Sequence, residues 1–332
     1  MGKILCAGLT VALALAGCAG NKSSEAKASE SAQAPSAPAI PAPDADSLYA
    51  FVGEQVALGP RVPGSEAAAR CASLFERRLA AFGADTVITH EAPVTFHDGS
   101  RAVARNILGR YNPDARKRVL LLAHYDSRPW ADQDPDPANH AKPIDGANDG
   151  ASGAAVLLEI ARMLGAQAPD SLGVDLLFVD AEDSGYSGYG DEDSELSWCL
   201  GTQAWVKEMP YTAADRPRFA ILLDMVGGRD ARFHREYFSD RLARGVVDKV
   251  WAAAARAGLA DRFPNSRGGS VVDDHIHINS AGIPCADIIE SANPETGSFN
   301  PTWHTMADNL SNIDRETLRA VARVVAEVLY NE

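Results

Sequence analysis

Three stretches decide the fold: VLLLAHYDS (119–127), GANDGASGAAVLLEIARML (146–164) and VDLLFVDAED (174–183). Val119 to Ala123 and Val174 to Val179 are short apolar runs, the composition of strands covered on both faces. Between them Val156, Leu157, Ile160, Ala161 and Leu164 recur at helical spacing, so the three pieces read as strand, helix and strand. In an open sheet built from such units, ligands bind beyond the C-terminal ends of the strands. Ionisable residues stand at those ends: His124-Tyr125-Asp126 after the first run, and Asp180-Ala181-Glu182-Asp183 after the second.

Working outward, Phe219 to Val226 and Cys285 to Ile289 read as further buried strands, and Glu66 to Phe82 and Asp240 to Ala257 as helices. Asp314 is placed to cap a last helix whose stripe is Leu318, Val321, Val325 and Val328. These elements predict a three-layer α/β/α sandwich with a mixed, mostly parallel central sheet. A chain of 332 residues that is 46% hydrophobic can bury one sizeable core. With a formal net charge of -14 and no run of Lys or Arg, the composition excludes a nucleic-acid partner.

The start of the chain reads as a targeting signal. Lys3 precedes an apolar stretch, Ile4 to Ala16, that is too short to span a bilayer. Leu15-Ala16-Gly17-Cys18 resembles the bacterial lipobox, which implies removal of residues 1–17 as a signal peptide and lipidation of Cys18. Ala19, where Asp would retain the protein at the inner membrane, points to the outer one. Residues 18–45, rich in Ala, Ser and Pro, read as a flexible tether ahead of a single catalytic domain over 46–332. The expectation is an exported lipoprotein on the periplasmic face of the outer membrane, attached through its lipid anchor only. Cys71, Cys199 and Cys285 remain, an odd number that allows at most one disulfide, and they read as small buried apolar residues.

Chemistry is expected where polar residues follow the strands. Asp149 stands in the GANDG loop, Asp224 ends the third run as Leu223-Asp224-Met225, and His304 lies in Trp303-His304-Thr305 before the last helix. Alone, Asp149 could be a helix cap, Glu182 and Asp183 solvated loop acids, and His304 a satisfied ring. Five strand ends or loops that each bring His, Asp or Glu to one sheet edge imply a shared ligand. Oxygen and imidazole donors without thiolate point to zinc, held by Asp149, Asp183 and His304 with a fourth position open. Glu182, one residue before a ligand, would sit beside that open position and move protons, its pKa raised by Asp224 and Asp274 nearby.

The segments HYDSRP, GANDGASG, DAEDSG, LLDMVGG, DDH and WHT, in that order from Leu48 onward, resemble the successive motifs of the glutaminyl cyclase family, in its bacterial animal-type form within the zinc aminopeptidase-like superfamily. The resemblance implies one zinc per chain on Asp149, Asp183 and His304, with Glu182 as general acid/base. It also implies a proton network of Asp224 with Asp273 or Asp274, Asp274 being preferred. Trp303 matches the tryptophan that lines the substrate pocket; Trp198, or else Tyr186, would supply a second wall. Many family members carry Glu where this chain has Asp183. The implied reaction converts the N-terminal Gln of peptides or proteins to pyroglutamate and releases ammonia. Two alternatives stand beside it. One is a two-zinc aminopeptidase in which His124, Asp149 and Asp224 hold the second ion. The other is a periplasmic ligand-binding lipoprotein, which leaves Glu182 beside a metal ligand unexplained.

Overall fold

A mixed six-stranded sheet in the order β1-β2-β4-β3-β5-β6 forms the middle layer of the computed structural model. Its strands are β1 (Thr86–Thr95), β2 (Arg101–Tyr111), β3 (Lys117–His124), β4 (Leu172–Val179), β5 (Phe219–Leu223) and β6 (Cys285–Ile288). Pairs β3/β4, β3/β5 and β5/β6 are parallel, whereas β1/β2 and β2/β4 are antiparallel. The structure describes residues 40–188 and 192–332. The signal segment, Cys18 and the tether as far as residue 39 therefore lie outside the described residues.

Strand alternation builds two cores. Val119, Leu121 and Ala123 of β3 face a large cluster that takes in helices α1 (Ala45–Val56), α2 (Glu66–Ala81) and α3 (Ala151–Ala166). After α4 (Glu192–Glu195), α5 (Leu200–Trp205) and α6 (Tyr237–Leu242), the helices α7 (Arg244–Arg256) and, beyond α8 (Asp274–Ser280), α9 (Arg315–Tyr330) join that same cluster. Leu120 and Leu122 point the other way, against Trp205 of α5 and Ile278 of α8. Helices thus cover both sheet faces, and each fully buried Leu or Val contributes about 1.5–3 kcal/mol. Asp314 caps α9 by accepting from the Glu316 amide (3.0 Å), and Leu318, Val321, Val325 and Val328 are buried as their spacing predicts. Cys71, Cys199 and Cys285 are buried free thiols. Among the described residues no helix is long and apolar enough to cross a membrane.

Several expectations change. The compact unit begins at Ile40, which packs on the core, and Asp44 caps α1 by accepting from the Ser47 amide at 2.6 Å, so residues 40–45 belong to the domain. β5 stops at Leu223 because Met225 takes a left-handed conformation (φ 48°). The helix expected over 240–257 is two: Glu236 accepts from the amides of Phe238 and Ser239 to start α6 early, and the chain breaks at Ala243 before α7.

Candidate active site

The sheet delivers the ionisable groups to one edge. His124 is the last residue of β3; Glu182 and Asp183 follow β4, Asp224 follows β5, Asp149 precedes α3, and Asp273 caps α8. The backbone is bent to do this. Ala181 (57°), Cys199 (57°), Met225 (48°) and His304 (56°) all carry positive φ values without being glycine, and strain of this kind concentrates where a scaffold must aim side chains. Gly150 has φ 96°, and a Cβ there would fall 2.5 Å from the Asp126 carbonyl, which is why the loop can fold in against β3 only with glycine.

Asp149, Asp183 and His304, far apart in sequence, present ligand atoms within 4.8 Å of one another, and all three are buried. His304 Nε2 lies 3.2 Å from Asp183 Oδ1 and 3.6 Å from Asp149 Oδ2. Among the described residues Asp183 Oδ2 is buried without a hydrogen-bond partner, the condition of a carboxylate shaped to ligate a cation. A second cluster shares Asp149: its Oδ1 and Asp224 Oδ1 each lie 3.1 Å from His124 Nε2. Both donor sets, imidazole and carboxylate in closely packed burial, suit a metal ion. Burial alone would lower the pKa of His304, yet Asp183 and Asp132 raise it; for His124, hydrogen bonds with Asp126, Asp149 and Asp224 likewise overcome desolvation.

Four residues to which the sequence assigned no role hold these groups in place. Asp126 accepts from the amides of Glu182 and Asp183, both at 3.0 Å, and lies 3.4 Å from His124 Nδ1. Asp308 accepts from the amides of Asn148 (2.7 Å) and Asp149 (3.0 Å); burial and then Asp149 push its pKa up to about 7. Asp132 lies 3.2 Å from His304 Nδ1, the carboxylate–imidazole arrangement that fixes a ligating ring. Burial would raise the Asp132 pKa, but hydrogen bonds from His304 and Arg128 hold it well below the usual carboxylate range. Arg128 bridges Asp132 (2.7 Å) to the Asp183 carbonyl (3.1 Å). Asp126 and Arg128 lie inside the HYDSRP motif, and Asp126 also stands at a strand end; Asp132 and Asp308 had no signal beyond acidity near a motif.

These groups open into a cavity of about 660 Å³ whose lining includes Glu182, Trp198, Trp303, Tyr186 and Asp273. Glu182 is 7% exposed, and burial above all, with Asp273, Asp183 and Asp274 adding to it against His124, raises its pKa well above the ordinary value. Asp273 and Asp274, the two candidates for the proton network, are placed differently. Asp273 lines the cavity and reaches within 4.8 Å of Glu182 and Cys199, whereas Asp274 is buried in the first turn of α8 and bears on Glu182 through its charge. Trp303 stacks on His304 with ring centroids 3.7 Å apart, and Trp198 lies nearly parallel to the same imidazole at 6.2 Å. A Cβ at Gly185 would fall 2.0 Å from the Trp198 indole, so the indole rests on bare backbone. Tyr186, 52% exposed, forms the rim.

Residues 106–329 match peptidase family M28. The structure is similar to that of Bacteroides thetaiotaomicron glutaminyl cyclase bound to N-acetylhistamine, at 47% identity and a TM-score of 0.84, covering 89% of this chain and 100% of that one. It is also similar to a leucine aminopeptidase precursor from Bacteroides thetaiotaomicron, at 46% identity and a TM-score of 0.83, covering 89% of this chain and 99% of that one. The glutaminyl-peptide cyclotransferase of Bos taurus is 25% identical over 288 residues, 80% of this chain and 76% of that protein. The chain therefore belongs to peptidase family M28, and within it is similar to bacterial glutaminyl cyclases.

Proposed function

We propose that this protein is a zinc-dependent glutaminyl-peptide cyclotransferase acting on peptides or proteins with N-terminal Gln. The observation that carries this reading is Glu182: a carboxylate buried at the cavity wall, one residue from a cluster able to ligate a metal, between walls built by Trp198 and Trp303. The reading assigns one zinc per chain to Asp149, Asp183 and His304. When bound there, the ion supplies a Lewis acid that polarises the side-chain amide carbonyl of the substrate Gln.

The protein's own groups do the rest. The two indoles exclude water and fold the Gln side chain back toward its own α-amine, which supplies the proximity term. Glu182 accepts a proton from that amine as its nitrogen bonds to the side-chain carbonyl carbon, then returns the proton to the amide nitrogen, which leaves as ammonia. One C–N bond forms and one breaks, so no water is consumed and no covalent enzyme intermediate is required. Asp273, Asp183 and Asp274 crowd Glu182 with negative charge, which favours the protonated carboxyl that must form when it takes the amine proton. Incubation with a Gln-initiated peptide tests the reading: ammonia and a pyroglutamyl peptide are expected, with one zinc per chain by metal analysis.

One observation favours a second reading. The cluster of His124, Asp149 and Asp224 would hold a second zinc in a two-metal aminopeptidase, with Glu182 activating water. That enzyme would release free amino acids and carry two zinc ions per chain.

We also propose that residues 1–17 are removed and that lipidated Cys18 holds the domain at the periplasmic face of the outer membrane, as the Leu15-Ala16-Gly17-Cys18 pattern supports. Incorporation of labelled palmitate into the wild type, and its loss in Cys18→Ala, is the expected result.

A further inference from the structure

Cys199 occupies the N-cap position of α5 in a left-handed conformation (φ 57°), with no side-chain cap of its own. Such backbone costs a non-glycine residue roughly 1–2 kcal/mol, and here it has a visible result. The Cys199 amide donates to the Glu182 carbonyl (3.0 Å) and the Leu200 amide to the Ala181 carbonyl (2.9 Å), which ties the loop after β4 to the start of α5. The turn sends neighbouring side chains to two parts of one site: Trp198 forms cavity wall, while the Cys199 thiol sits against Glu182 with Sγ 3.3 Å from Oε1. Cys199 is fully buried. Burial, with Glu182 next to it, pushes the thiol pKa well above its ordinary value, so the sulfur keeps its proton and is a donor. Asp273 reaches within 4.8 Å of both groups; two carboxylates so close repel unless donors fix them.

We propose that Cys199 is a positioning residue whose S–H donates to Oε1 of Glu182 and fixes the carboxylate, leaving its other oxygen for the substrate. The inference rests on Glu182 being the proton carrier. A thiol suits the task because it is a weak donor: it orients the carboxylate without drawing off the charge that makes it basic. Cysteine also fills a buried site as a small apolar group would.

The test compares the full chain with Cys199→Ala and Cys199→Ser on a Gln-initiated peptide. The alanine variant is expected to lose about tenfold in kcat, the worth of one modest hydrogen bond, with KM, zinc content and melting temperature close to wild type. The serine variant, which restores a donor, is expected to recover to within about threefold of wild-type kcat. An alanine variant with wild-type kcat overturns the proposal. So do equal losses in both variants accompanied by a lowered melting temperature, which would make Cys199 a packing residue only. If the wild type releases free amino acids and no ammonia, the cyclase reading fails alone, and the same ratios measured on peptide hydrolysis decide for or against Cys199.

Discussion

Glu182 and Asp183 are neighbours in sequence, yet the structure gives them different surroundings: Asp183 joins Asp149 and His304, while Glu182 stands between Asp273 and the Cys199 thiol. Substituting Glu182 by Gln keeps its size and removes the proton acceptor. The variant is expected to retain zinc while losing about 10²–10⁴ in kcat; metal analysis beside steady-state kinetics checks this, and near-normal turnover would remove Glu182 from the chemistry. Gly185→Ala probes the wall instead. Its Cβ would displace the Trp198 indole from 2.0 Å, so KM should rise severalfold with zinc content unchanged. An unchanged KM would show that Trp198 does not touch substrate. At this scale the sequence was informative where residues carry their own chemistry: Asp149, Asp183, Asp224 and His304 stand where strand ends and motif spacing place them. The sequence leaves Asp273 and Asp274 open because the choice between adjacent residues depends on where α8 begins, which the sequence does not mark; the structure puts Asp273 on the cavity wall. Asp132 and Asp308 were silent because their work is to bond groups far away in sequence.

The elements behave as clamped loops on a rigid sheet. Asp126, two residues past the end of β3, holds two amides of the loop after β4, and Asp308, four residues after His304, holds two amides of the loop before α3. Asp126→Ala would leave the buried amides of Glu182 and Asp183 without an acceptor, at about 1–3 kcal/mol each. A lower urea midpoint and weaker zinc retention are expected; a variant as stable as the parent would mean water replaces the clamp without loss. The parallel strands were readable because burial on both faces demands continuous apolar runs. β1 was not, since its residues are mostly exposed or half-buried and mixed in character, nor was its pairing with β2. The α6/α7 break escaped notice because Ala243, a good helix former, sits at it.

Over the whole molecule, the account predicts that metal loading is coupled to protons. Asp183 and Asp132 raise the His304 pKa against the effect of burial, so in metal-free protein the imidazole holds its proton to higher pH than a free histidine. A ligand must give that proton up. Zinc affinity should therefore rise with pH between about 6 and 8 and weaken on acidification, with protons released on loading; calorimetry in buffers of different ionisation enthalpy checks both. An affinity flat across that range would contradict the assigned ligand. Family membership, the sheet and the shared edge of ionisable groups were visible in six short motifs. What the motifs do not separate is one metal cluster from two, because Asp149 belongs to both. The most direct measurement follows the bond that breaks, using a peptide whose N-terminal Gln carries ¹⁵N in its side-chain amide. The account predicts that the label appears as free ammonia while the peptide keeps all its residues as a pyroglutamyl product; label recovered in free glutamine, beside a peptide shortened by one residue, would contradict it.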